Sequence, residues 1–144
     1  MSLFSVLSVG ASGMSAQRTR AELLVENLAN AETTRTPEGG PYRRKDVVFE
    51  STAVSSPFAS VFHSEMQAMG GVAVSDVITD AGDPVQRYLP GHPDANAEGY
   101  VAFPRINPAE DMVDLMGASR SYEANVAAIS AVKDMIHSSI DLAR

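Results

Sequence analysis

The chain has 144 residues, of which 44% are hydrophobic but only 6% aromatic, with no Trp; that suits one small domain, or one with extended terminal helices, rather than a thick globular core or a disordered chain. A formal net charge of -7 repels phosphate backbones and anionic membrane surfaces, which argues against nucleic acid or lipid as a partner. The absence of Cys excludes disulfide frameworks, thiolate metal sites and Cys nucleophiles.

The first predicted element is a helix from Ser2 to about Ala31. Leu3, Leu7, Gly10, Met14, Gln17, Ala21, Leu24, Leu28 and Ala31 alternate in steps of four and three. That spacing is a heptad seam, the pattern by which helices pack along their length. Gln17 is its one large polar member, and Gly10 weakens the helix locally. Phe4, Ala11, Leu23 and Val25 widen the apolar face, while Arg18 and Glu22, four residues apart, can pair on the exposed one. About 28 helical residues would span roughly 42 Å. No positive n-region precedes the mildly apolar start, the first basic residue being Arg18, so no secretory signal is expected and, read alone, the chain points to the cytoplasm. No run approaches the ~20 apolar residues of a membrane span.

Residues 32–106 differ sharply. They hold most of the prolines, and Thr34 to Pro41 is a loop by composition. Short strands are predicted at Asp46 to Val54, Phe58 to Phe62, Val72 to Ile78, Pro84 to Leu89 and Gly99 to Phe103. The third is bounded by Gly70-Gly71 and by the turn-prone stretch Asp80 to Pro84. The expectation is a small, irregular β-rich unit set between two helices.

The last predicted helix occupies 107–144. Asn107-Pro108-Ala109-Glu110 is a start signal: an N-cap acceptor, a proline where no helical N–H is needed, and a glutamate that can reach back to the cap. Its seam reads Met112, Leu115, Ser119, Tyr122, Val126, Ile129, Lys133, Ile136 and Ile140. The fold class is therefore mainly α with a small β insertion: segments 1–31, 32–106 and 107–144, with the terminal helices forming a coiled-coil-like pair. Val113, Met116, Val132 and Met135 lie beyond the strict seam, as their counterparts do on the first helix. A two-helix pair leaves much of this surface wet, and covering it is worth several kcal/mol at about 25 cal/mol per Å². Neighbouring copies are one natural cover; an ordinary intramolecular bundle or a coiled-coil dimer produces the same periodicity.

No constellation points to catalysis, a cofactor or a metal. His63, His92 and His137 fall on three separate segments without ligand spacing, and the glycine-rich stretches match neither a P-loop nor a dinucleotide fingerprint. Arg43-Arg44-Lys45 reads as a solvated loop or, more sharply, as a contact for an acidic neighbour.

Asn27-Leu28-Ala29-Asn30-Ala31-Glu32-Thr33 resembles the N-x-A-N-x-x-T signature of flagellar axial proteins, the rod, hook and hook-associated subunits. Ala118 to Val126 resembles the C-terminal signature of the same family. Ala11 to Arg18, Gly39 to Lys45 and Gly91 to Val101 extend the likeness toward the rod proteins of the basal body. The resemblance implies a non-enzymatic subunit of the proximal rod, which polymerises through its terminal helices into a drive shaft and export-channel wall. It implies copies of itself, other rod proteins and rotor-ring or export-gate components as partners. It also implies export by the flagellar type III apparatus without a cleavable signal, and residence in the periplasm-spanning rod. The subunit-packing residues would be Leu3, Leu7, Met14, Leu24, Asn27, Leu28, Asn30, Thr33, Leu115, Tyr122, Asn125, Val126, Ile129, Ile136 and Ile140. Asn27 and Asn30 are expected to bond loop backbone or a neighbour where helix becomes loop, or simply to cap the helix. Tyr122 should be buried with a partner for its hydroxyl, and Asn125 is either a recognition residue or a solvated one. Another rod-family subunit and a soluble coiled-coil adaptor are the alternative readings.

Overall fold

The computed structural model describes residues 3–53 and 70–142. Helix α1 spans Leu3–Ala29, strands β1 and β2 span Lys45–Ala53 and Gly70–Thr79, β3 and β4 span Val85–Tyr88 and Tyr100–Phe103, and helix α2 spans Pro108–Leu142. Among the described residues the expected helices and four of the expected strands are present. The strand expected at Phe58 to Phe62 lies outside the described residues, as does His63.

The Asn107 cap of α2 forms as its sequence dictates. Asn107 Oδ1 accepts from the Ala109 N–H at 3.2 Å, and the Asn107 carbonyl accepts the first helical bond, from the Asp111 N–H at 3.1 Å, so one side chain satisfies an otherwise orphaned donor. The C-terminal end of α1 is closed by Asn30. Its N–H reaches the Glu26 carbonyl at 3.1 Å, its Nδ2 donates to the same carbonyl at 2.9 Å, and the Thr33 hydroxyl donates to Asn30 Oδ1 at 3.2 Å.

The two helices run antiparallel and in contact. A Cβ on Gly10 would stand 3.0 Å from Ile129 Cγ1 and one on Gly13 would stand 3.1 Å from Asn125 Nδ2, while Arg20 meets Asp114 at 3.6 Å; ascending numbers on α1 meet descending numbers on α2. The glycines therefore serve close approach, and the helix propensity lost there, about 1 kcal/mol each, is set against packing.

β1 and β2 pair antiparallel, with a register shift after Val48. Ser75 is the extra residue of that bulge, and its hydroxyl donates to the Val48 carbonyl at 3.2 Å, replacing a ladder bond that the bulge removes. Gly70-Gly71 opens β2 instead of bounding it. The strand there crosses α1 closely: a Cβ on Gly71 would stand 2.9 Å from Ser12 Oγ, and that oxygen accepts the Val72 N–H at 3.1 Å. β3 and β4 form a second antiparallel pair, with Tyr88 and Tyr100 edge-on at 5.3 Å. Their connection is held by Asn96, whose Oδ1 accepts from Glu98 and Tyr100 N–H groups at 3.0 and 2.9 Å, and by Gly99 at φ 83°, a backbone setting that favours glycine.

The core is small: it is thickest where α1 ends and α2 begins, and it continues as a narrow seam between the helices. Its buried members are Ala16, Leu24, Tyr42, Val101, Phe103, Ala118 and Val132, with Asn27 and Asp111 as buried polar residues.

Candidate functional site

The buried polar residues assemble at one junction, where α1 ends, β1 begins and α2 begins. Asn27 is 0% exposed. Its Nδ2 donates to the Lys45 carbonyl at 2.8 Å, and its Oδ1 accepts the Lys45 N–H at 2.9 Å and the Tyr42 hydroxyl at 3.0 Å. The amide thus pairs with one residue's backbone as a neighbouring strand would. Buried without water, each of these groups would be costly if left unpaired; together they fix where β1 leaves α1. Lys45 Nζ returns to Glu26 at 2.6 Å.

Asp111, 1% exposed, sits in the first turn of α2 and meets Arg44 at 3.0 Å; Arg44 also meets Asp46 at 3.4 Å. Burial raises the Asp111 carboxyl above its ordinary value, and the Arg44 guanidinium pulls it back only in part. Of the basic run expected to be solvated or to await an acidic neighbour, Arg44 and Lys45 find their acids within the chain, and Arg43 donates to the Asp80 carbonyl at 3.2 Å. Thr34 and Arg35 reach Asp94, at 2.8 and 3.9 Å, tying the connector after α1 to the β3–β4 loop.

Tyr42 is buried beside this cluster. Its phenol is pushed up to about 12, by burial first and by the charge of Glu26 second. Because the native value is raised above the ordinary 10.0, the stabilising contribution of Tyr42 is complete below pH 10 and is lost as pH rises through about 12. In an alkaline titration followed by phenolate absorbance, one of the four tyrosines is expected to ionise late, and Tyr42→Phe should remove that step. A titration in Tyr42→Phe identical to that of the unaltered chain would contradict this placement.

The seam residues divide. Leu24 is buried; Leu7, Met14, Leu28, Leu115, Ile129 and Ile136 are half-buried; Val126 and Ile140 are exposed. Leu3 opens α1, and its side chain lies outside the described residues. On α2 the face turned to α1 is Asp111, Leu115, Ala118, Asn125, Ile129, Val132 and Ile136, whereas Met112, Ser119, Val126 and Lys133 are exposed. Half of the expected seam is thus displaced by one residue, about 100° around the helix. Tyr122 is 40% exposed instead of buried. Asn125 is half-buried, with its amide over Gly13 of the same chain.

What remains uncovered is apolar. Met112, Val113, Met116, Val126, Met135, Ile140 and Leu142 are exposed along α2, and Val25 is exposed on α1. None of the described helices is long and apolar enough to cross a membrane. A subunit locked by polar clamps at one end and carrying uncovered apolar flanks along its shaft belongs to the class of structural assembly proteins.

The family model for the flagellar basal body rod FlgEFG protein C-terminal matches residues 97–142. The flagellar basal-body rod protein FlgC of Bacillus subtilis is 43% identical over 152 residues, covering 100% of both chains. That of Borreliella burgdorferi is 37% identical with 97% of each chain covered, and that of Escherichia coli O6:H1 is 39% identical, covering 99% of this chain and 98% of its own. The chain belongs to the FlgC family of flagellar basal-body rod proteins. It is a structural subunit of the flagellar basal-body rod and not an enzyme.

Proposed function

We propose that this subunit polymerises through α1 and α2, which pair in coiled-coil fashion, to build part of the proximal rod: a drive shaft that transmits torque and the wall of an export channel. The observation that carries this reading is the apolar surface left on α2 after the helices pack on each other, with Met116 53% and Val113 62% exposed. Water is a poor solvent for such flanks, and each fully covered aliphatic side chain contributes about 1.5–3 kcal/mol. The partners in this reading are further copies of the chain, other rod proteins, and rotor-ring or export-gate components. In this reading the chain divides into an N-terminal axial segment 1–31, a middle unit 32–106 and a C-terminal axial segment 107–144. In this reading the subunit reaches the periplasm-spanning rod through the flagellar type III apparatus.

Of the residues assigned to packing, Asn27, Asn30 and Thr33 act indirectly, by fixing the angle at which the chain leaves α1. Leu7, Met14, Leu24, Leu28, Leu115, Ile129 and Ile136 hold the pair together, and Tyr122, Asn125, Val126 and Ile140 stand at or beside its uncovered edge. Deletion of the gene, followed by imaging of basal bodies, tests the reading. A rod lost at its proximal end with swimming abolished is expected; an intact rod in the deletion strain would refute it.

A further inference from the structure

β1 and β2 form a ribbon of two strands, so each has an outer edge. In an antiparallel ladder, successive residues turn both backbone groups alternately toward the partner strand and away from it. The phase of β1 is fixed where it starts. The Arg44 carbonyl accepts the Asp80 N–H on the β2 side at 2.8 Å, and Lys45 turns its N–H and carbonyl outward to Asn27. Val47, Phe49 and Ser51 therefore turn theirs outward too. The far end agrees: Val72, opposite Ser51, sends its N–H outward to Ser12. The two edges differ in what covers them. On β2, Ser12 and Asp76 side chains take the outward N–H groups of Val72 and Val77. On β1, Asn27 covers Lys45, and no hydrogen bond among the described residues takes the outward groups of Val47 or Phe49. Neither a proline nor a bulge on β1 closes this edge, which leaves a template for strand pairing.

Beside this edge an open groove of about 260 Å³ is bounded by Val47 and Phe49 of β1, by Leu23 and Leu24 of α1, and by Arg20 and Asp114. We infer that the edge is a strand-addition site. A single extended segment of another polypeptide lies in the groove, its backbone pairing with Val47 and Phe49 and an apolar side chain resting on Leu23. This contact is separate from the pairing of the terminal helices and does not depend on it. The backbone selects the occupant. Donors and acceptors exposed at every second residue are matched by another extended chain, whereas a helix has spent its own groups internally. The groove also limits the occupant's width. Asp114 of α2 bounds it on the side away from β1, where the second strand of an incoming ribbon would lie. Every strand described in this chain is half of a ribbon, so a lone segment fits where a strand of a second copy does not. Charge sets the composition: Arg20 and Asp114 are 3.6 Å apart and still 37% and 39% exposed, one charge of each sign. That favours a segment apolar at alternate positions and without a strong excess of either charge.

The test reads amide exchange residue by residue in the full-length chain, as dilute subunit and in isolated basal bodies. In the dilute subunit the Val47 and Phe49 amides are expected to exchange on the order of tenfold faster than those of Asp46 and Val48, which face β2. In basal bodies that difference should vanish. Val47→Pro removes one outward donor and leaves the ladder to β2 intact. It should return Phe49 in basal bodies to its dilute rate, whereas Val47→Thr should not. A photoreactive benzoyl-phenylalanine in place of Phe49 should form an adduct with one segment of another polypeptide, several-fold weaker when Val47→Pro is added. Slow exchange of Val47 and Phe49 in the dilute subunit would show that the chain covers its own edge. An adduct between two differently tagged copies would show that a second copy does, and fast exchange in intact basal bodies that nothing does. Each of these overturns the inference and leaves the rod reading standing. If Val47→Pro subunits are lost from basal bodies, the exchange rates and the adduct of the otherwise unaltered chain decide.

Discussion

Replacing Asn27 by alanine is expected to lower the unfolding free energy by about 3 kcal/mol, because three polar groups lose their partner at once. The Lys45 N–H, the Lys45 carbonyl and the Tyr42 hydroxyl all bond this one amide, at a site with 0% exposure. Asn27→Asp should be no better, since a carboxylate keeps the acceptor but turns a second oxygen toward the Lys45 carbonyl and buries a charge. Asn30→Ala should cost only about 1 kcal/mol, the value of a capping side chain, because Asn30 is half-buried and its backbone bonds survive. Urea midpoints of the three variants decide the matter. An Asn27→Ala loss no larger than that of Asn30→Ala would show that the amide clamp is not what holds β1 to α1.

The second large effect is expected at the buried ion pair. Arg44→Met removes the cation 3.0 Å from Asp111 and strands a carboxylate that is 1% exposed, which typically costs about 3–5 kcal/mol at neutral pH. The deficit should depend on pH in a definite direction. The Asp111 carboxyl is already raised above 3.8 by burial, and loss of Arg44 raises it further. A raised native value means that the native state holds its proton more tightly than the unfolded chain. The contribution of this group is therefore complete below the unfolded value and is lost as pH rises through the native one. The gap between Arg44→Met and the unaltered chain should accordingly narrow as pH falls from 7 toward about 4, where the stranded carboxylate is neutralised. Changing both partners, Arg44→Met with Asp111→Leu, should recover most of the loss at neutral pH. A pH-independent gap, or no recovery in the double variant, would count against a buried charge as the cause.

The terminal helices, the Asn107 cap and four strands were legible in the sequence because each rests on local chemistry: heptad spacing, a capping side chain, β-branched runs between glycines. The rotation of α2 was not. A three-and-four alternation starting from Met112 and one starting from Asp111 share Leu115, Tyr122, Ile129 and Ile136, and hydrophobicity favours Met112. Asp111 wins because Arg44, far off in the sequence, supplies its counter-charge. Asn125 displaces Val126 because its flat amide lies against Gly13 of α1, and Ala118, 1% exposed, takes the buried place expected for Ser119. Only Val132 in place of Lys133 carried a local signal. The role of Asn27 was half legible: its position near the helix end suggested a backbone partner, but the identity of Lys45 is a property of the folded chain.

Amide exchange on the full-length subunit at high dilution tests most directly whether the shaft is completed by neighbours. The polar clamps at Asn27 and Asp111 should protect residues near 24–27 and 111–118, while the distal part of α2, beyond Val132, and the opening turns of α1 exchange close to the rate of free peptide, becoming protected in isolated basal bodies. Slow exchange along the whole of both helices in the dilute subunit, equal to that in the basal body, would show that a single copy already satisfies its own surfaces.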